Sequence, residues 1–309
     1  MIPKTGILFA GQGAQFVGMG RDLAEAFPAC RDLFAKANEV LGYDLARLCF
    51  EGPETELVKS LHCQPAIFAV SLACCRALNP PTPAAVAGLS LGEWSALCLA
   101  EAVSFEDGLR ILAARGRFMQ ESCEEHAGAM LSVIGLGGEA LAKIAADTGV
   151  EIANLNSPEQ TVLSGPKAGI QQAEKLAGEA GAKRVILLNV AGAYHSSLMA
   201  AAAGKLEQFL QSVVIHPPRV PVVSNVTGLP HGTPEEIKRA MVRQVTSAVQ
   251  WLASVQWFQQ QGFQRYIECG PGRVLSGLVK RIQAGAELLN IQDCPSLAKT
   301  LAALAPNAG

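Results

Sequence analysis

The stretch Ala84-Ala85-Val86-Ala87-Gly88-Leu89-Ser90-Leu91-Gly92-Glu93-Trp94-Ser95-Ala96-Leu97-Cys98-Leu99-Ala100 sets a serine between two glycines, where a short apolar run gives way to a helical one. Continuous apolarity from Ala84 to Ala87 predicts a buried parallel strand, and Glu93 to Ala100 predicts a helix. Gly-x-Ser-x-Gly at such a junction fits a nucleophile elbow, a tight turn where flanking side chains would collide with strand or helix. The unpaired N–H groups and positive dipole end of a helix start would let the Leu91 N–H receive an oxyanion. Ser90 and Glu93 also fit a Ser-x-x-Glu capping box, which needs no chemistry, although capping alone leaves both glycines unexplained.

Outward from the elbow, elements alternate. Gly6 to Ala10 reads as a strand running into Gly11-Gln12-Gly13-Ala14-Gln15, and helical patterns follow, among them Ala66 to Leu78. From Gly128 to Val190 the order becomes β-α-β-β-α-β, with strands at Ala129–Leu136, Val150–Asn154, Gln160–Ser164 and Arg184–Val190. After His195 come a helix from Ser197, a strand at Val220–Ser224, helices from Pro234 and Trp251, a strand at Arg265–Glu268 and a helix past Gly270-Pro271-Gly272. The last thirty or so residues read as a peripheral helix and tail. The expected fold is α/β: a large α/β-hydrolase-like domain with a parallel sheet and nucleophile elbow, residues 1–127 and 197–309, plus a small inserted ferredoxin-like subdomain, residues 128–196.

Composition narrows the function classes. Half of the 309 residues are apolar and 17% are charged, which suits a compact α/β enzyme. A net charge of −2 argues against nucleic acid as the main partner. Nine scattered cysteines without a CxxC pair predict free thiols in a reducing cytoplasm. The N-terminal apolar stretch is too short for a signal peptide, and no later run reads as membrane-spanning without polar breaks, so no membrane partner is expected. Gly11-Gln12-Gly13 is not a dinucleotide fingerprint, because Phe16 stands where the third glycine belongs. No metal and no bound cofactor is expected.

A serine nucleophile needs a base, and five histidines are available: His62, His126, His195, His216 and His231. His195 follows an apolar strand and precedes a helix, whose N-terminus would keep the ring neutral; a loop histidine or a cap is the alternative. His126, His216 and His231 read as surface. Arg115 lies on the apolar stripe of a helix from Phe105 to Ser122, with Ile111, Leu112, Phe118 and Met119, while Arg110, Arg117 and Glu121 face away. A buried guanidinium requires a partner, either a structural carboxylate or that of a ligand gripped through two parallel hydrogen bonds.

With these residues assembled, the chain resembles the malonyl-CoA:acyl-carrier-protein transacylases and, more distantly, the acyltransferase domains of polyketide synthases. The motifs run in family order: Gly11-Gln12-Gly13-Ala14-Gln15, Gly88 to Glu93, Arg115 to Gln120, Asn154-Leu155-Asn156-Ser157-Pro158, Gly192-Ala193-Tyr194-His195-Ser196, Arg243-Gln244-Val245 and Gly270-Pro271-Gly272. The resemblance implies that Ser90 is acylated, that His195 is its base, oriented by the backbone carbonyl of Gln244, and that the N–H groups of Gln12 and Leu91 form the oxyanion hole. It also implies that Arg115 pairs with the malonyl carboxylate, and makes Asn154, Asn156 and Tyr194 candidates for lining the pocket. Leu89 and Tyr194 depart from the histidine and phenylalanine usual at their positions. The expected substrates are malonyl-CoA and an acyl carrier protein bearing phosphopantetheine, with Lys183, Arg184, Lys280 and Arg281 as candidate docking residues. A serine acyl-thioester hydrolase on the same elbow and a non-catalytic carrier scaffold are the competing readings.

Overall fold

The protein is described here by a computed structural model covering residues 3–80 and 82–305. The outermost limits expected for the large domain, Pro81, and the final residues of the expected tail lie outside the described residues. Among those described, the strands in chain order are β1 (Thr5–Phe9), β2 (Ala85–Gly88), β3 (Gly128–Ile134), β4 (Glu151–Ser157), β5 (Gln160–Pro166), β6 (Arg184–Leu187), β7 (Val222–Val223), β8 (Arg265–Cys269) and β9 (Glu287–Ile291).

The larger sheet runs β7-β2-β1-β8-β9, with every pairing parallel. Its inner strands are continuously apolar because both faces are covered. Along β1, Ile7 and Phe9 enter one core while Leu8 enters the other, and along β2 Val86 is divided from Ala85 and Ala87 in the same way. Strand order reverses at β1: the chain builds β2 and β7 on one side, then returns to build β8 and β9 on the other. In open parallel sheets ligands bind beyond the carboxyl ends of the strands at such a reversal. Gln12, Ser90 and Gly270-Pro271-Gly272 follow the ends of β1, β2 and β8, so three of the sequence motifs converge there.

The smaller sheet, β4-β5-β3-β6, is antiparallel and draws every strand from residues 128–187. This is the strand order of a β-α-β-β-α-β unit whose first and third strands pair at the centre. Leu131, Val133 and Leu163 on one face pack beneath the helices Gly138–Thr148 and Lys167–Glu179. The opposite face brings Met130, Ser132 and Val162 to a cleft shared with the parallel sheet. β4 is tied to the larger unit at Val249, whose N–H donates to Ala153 and whose carbonyl accepts from Leu155.

Several details differ from the sequence reading. The C-terminal segment is not merely peripheral: β9 extends the parallel sheet before the helix Cys294–Leu304. β6 ends at Leu187 and β7 is two residues long, and the helix after His195 begins as a 3-10 turn, Ser197–Met199, before the α-helix Ala200–Leu210. The helix Ser60–Leu78 is long and apolar enough to cross a membrane by length and composition, but His62, Gln64, Ser71 and Arg76 break it with polar side chains, in keeping with the sequence reading. Here it lies mostly buried in the main core, packed against Phe105–Glu125.

The turn after β2 leaves no room for side chains. A Cβ on Gly92 would lie 2.4 Å from the Phe9 carbonyl oxygen, and one on Gly88 would lie 2.0 Å from the Gly92 carbonyl. Gly92→Ala or Gly88→Ala should therefore cost about 3 kcal/mol or more in urea denaturation. Gly137→Ala, at a glycine with nothing within 4 Å of the added carbon, should stay within about 0.5 kcal/mol. Equal small losses would show that the turn relaxes.

Candidate active site

Ser90 has φ 54° and His195 has φ 58°, two of the four non-glycine residues with left-handed backbone among those described. Such conformations cost about 1 kcal/mol or more each and persist only where the surroundings over-determine them. Asn225 supplies part of that restraint at the elbow. Its Oδ1 accepts from the Ser90 N–H at 2.6 Å, and its Nδ2 donates to the Gly88 carbonyl at 2.8 Å. The helix Gly92–Leu99 follows at once, and the Ser90 side chain does not cap it. The capping-box reading is therefore corrected: the Ser90 hydroxyl is turned to other partners, and Glu93 bonds elsewhere.

Those partners are His195 and Arg115. Ser90 Oγ lies 2.9 Å from His195 Nε2, while His195 Nδ1 lies 2.8 Å from the Gln244 carbonyl oxygen. A carbonyl only accepts, so Nδ1 carries the hydrogen and Nε2 of the neutral ring is free to take the serine proton. Burial of the imidazole, then the nearby Arg115 cation, pulls the His195 pKa down to about 4, with the Gln244 carbonyl acting the other way. Neutrality thus comes from desolvation and a neighbouring charge, not chiefly from the helix start that the sequence suggested.

Arg115 is 1% exposed. One Nη donates to Gln64 Oε1 at 2.7 Å, and the other donates to Ser90 Oγ at 3.1 Å and Gln244 Oε1 at 3.0 Å, while Nε is buried without a protein acceptor. All three acceptors are neutral, so the structural salt bridge considered from the sequence does not form. Burial lowers the guanidinium pKa to about 10, opposed by Glu93, and it stays charged at neutral pH.

The Gln12 side chain donates to Ser60 Oγ at 3.1 Å and to the Tyr194 hydroxyl at 3.3 Å, and Tyr194 and Ser60 are themselves 2.7 Å apart. The backbone N–H groups of Gln12 and Leu91 make no hydrogen bond to any described residue. A cavity of about 260 Å³ is lined by Gln12, Ser90, Asn154, Asn156, Tyr194 and His195, with apolar walls from Leu89 and Met119. A larger cavity, about 470 Å³, contains none of these residues.

Several groups were missed in the sequence. Asn225 is one; it stands just past β7, beside the elbow strand, where a polar residue at a strand's carboxyl end is a usable signal. Gln64 is another, the lone amide in the helix Ser60–Leu78, flanked there by Cys63 and Pro65 at the start of a long apolar run. His231 was read as surface, yet its side chain is 2% exposed and its Nε2 lies 2.6 Å from Glu93 Oε1; nothing local in the sequence announces this. His126 and His216 are exposed as expected.

The chain as a whole is similar to known proteins. The acyl transferase domain family matches residues 7–299. The malonyl CoA-acyl carrier protein transacylase of Bacillus subtilis (strain 168) is 40% identical over 297 residues, covering 94% of this chain and 94% of that protein. The crystal structure of an acyl carrier protein S-malonyltransferase from Vibrio cholerae superposes with a TM-score of 0.92 at 40% identity, covering 96% of this chain and 99% of that one. A malonyl-transacylase in complex with its type II PKS acyl-carrier protein gives 0.94 at 39% identity, covering 97% and 99%. The chain belongs to the acyl transferase family.

Proposed function

We propose that this enzyme transfers a malonyl group from malonyl-CoA to the phosphopantetheine thiol of an acyl carrier protein through a malonyl ester on Ser90. The observation that carries this reading is a single hydroxyl, Ser90 Oγ, held between the accepting Nε2 of His195 and the donating guanidinium of Arg115. The names of the transacylase relatives, and the relative solved with its carrier protein, support the substrate and the partner.

In the proposed reaction, His195 Nε2 takes the Ser90 proton as Oγ attacks the thioester carbon. The tetrahedral oxyanion accepts from the N–H groups of Leu91 and Gln12, which have no partner among the described residues. The C–S bond breaks, and His195 returns its proton to the departing CoA thiolate. The carrier's thiol then gives its proton to His195 and attacks the malonyl ester, and Ser90 leaves with that proton restored. Arg115 is assigned the malonyl carboxylate, because a buried guanidinium with only neutral acceptors and an unpartnered Nε favours an anionic ligand. Asn154, Asn156 and Tyr194 complete the polar lining. The nine free cysteines support a reducing, cytoplasmic setting.

The carrier is assigned to the basic surface at the cleft. Lys183, Arg184, Lys280 and Arg281 are exposed, and Arg281 reaches Gln160, which lines the cavity. An acidic carrier would meet these charges as its prosthetic arm enters. Arg281→Glu should raise KM for the carrier about tenfold while leaving Ser90 loading from malonyl-CoA intact. An unchanged carrier KM would move the docking site elsewhere.

Incubation with malonyl-CoA should add one malonyl group to Ser90, read by intact mass, and the adduct should be absent from Ser90→Ala. Rapid release of malonate without any thiol acceptor would instead make the protein a hydrolase. Arg115→Ala should lower malonyl loading about a hundredfold relative to acetyl loading; equal losses would remove Arg115 from acyl recognition.

Loading requires neutral His195, so its rate should hold level from pH 8 to about pH 5 and fall as the pH nears 4. A midpoint near 6.5 would contradict the burial argument. Between about 6.5 and 4 the unfolded chain binds the proton that the folded chain refuses. The stability contributed by neutral His195 is therefore present above 6.5 and lost as the pH falls towards 4.

A further inference from the structure

Glu93 is a fully buried carboxylate for which the reaction above has no use. Its Oε1 accepts from His231 Nε2 at 2.6 Å, and its Oε2 accepts from the Asn225 N–H at 3.1 Å and from Gln244 Nε2 at 2.5 Å. The same Gln244 side chain presents Oε1 to Arg115 at 3.0 Å. A guanidinium only donates and a carboxylate only accepts, so the amide between them has a single orientation. Buried cation and buried anion thus face one another across one side-chain amide.

Arg115 makes no direct ion pair with any described residue, and a buried charge without a counter-charge is costly. Glu268, the other buried carboxylate among the described residues, is taken up by the N–H groups of Leu275 and Ser276. Glu93 is left to serve, and it opposes the effect of burial on the Arg115 guanidinium.

We propose that Glu93 is the resting counter-charge of Arg115, acting through the Gln244 amide, and that it sets how tightly Arg115 holds an acyl carboxylate. The proposal rests on the reading that Arg115 receives the malonyl carboxylate. An anion already facing the guanidinium weakens the attraction of a second one. The acyl group is then selected by Arg115 without being trapped on the enzyme. Glu93 is a positioning and specificity residue in this scheme and touches no reacting atom.

Glu93→Gln removes the charge and keeps the hydrogen bonds. Its oxygen can accept from Gln244 and Asn225, and its amide can donate to His231 in the other ring tautomer. At pH 8, above the range where histidine side chains ordinarily charge, KM for malonyl-CoA in Ser90 loading should fall about tenfold. Transfer of malonyl onward to a thiol should slow, and KM for acetyl-CoA should not move. A merely structural glutamate would shift both acyl groups alike. A malonyl KM that is unchanged or raised, or a parallel shift for acetyl, overturns the proposal. A thermal-denaturation cycle with Arg115→Gln reads the same coupling without activity: the double variant should lose less than the two single losses combined, and additive losses overturn the proposal. Absence of a malonyl adduct on wild-type Ser90 would refute the transfer reading instead, and the cycle alone would then decide whether the two charges are coupled.

Discussion

The site depends on one close approach, that of Gly92 to the carbonyl oxygens of Phe9 and Ala10. Because no Cβ intervenes, the start of the helix Gly92–Leu99 lies against the end of the central strand, which itself leads into Gln12. Two segments far apart in sequence are thereby brought together with free backbone N–H groups on each. The same contact goes with the tight turn that holds Ser90 in left-handed backbone geometry, and Asn225 fixes that geometry from just past the neighbouring strand β7. Strain at one residue is held by packing and hydrogen bonds spread over three strands.

Around that turn, one polar residue serves several neighbours. It is Gln244: its carbonyl orients His195, its Oε1 receives Arg115, and its Nε2 donates to both Glu93 and the Ser90 carbonyl. His195, Arg115 and Ser90 all meet one residue at the end of the helix Pro234–Gln244. Apart from Arg115 Nε, the groups of this buried network are paired with one another, and such pairing holds the Ser90 hydroxyl in one place.

Much of this was legible in the sequence for physical reasons. The apolar run to Ala87 and the glycines at 88 and 92 encode strand, turn and helix locally, and the helical period alone puts Arg115 among Ile111, Leu112 and Met119. The β-α-β-β-α-β order was readable because each element of the smaller sheet has its own amphipathic period. β9 escaped because its residues are only half-buried at the sheet edge, so Glu287 to Ile291 carry a weak pattern. Glu93 and His231 escaped because they are 138 residues apart and their pairing exists only in the folded core. A charged residue in a first turn looks like a cap until tertiary structure removes it from water.

The histidine beside Ser90 leans on a peptide carbonyl where many hydrolytic triads place an anion. A neutral anchor orients the ring but stabilises its protonated form far less than a carboxylate would. In the proposed reaction the proton is therefore a short loan, returned first to the departing CoA sulfur and then to the departing Ser90 oxygen. In the proposed exchange one thioester is spent and another of nearly equal energy is made, so no step need be driven downhill. Net flux would follow the relative supply of loaded CoA and empty carrier, and the enzyme would work as a valve open in both directions.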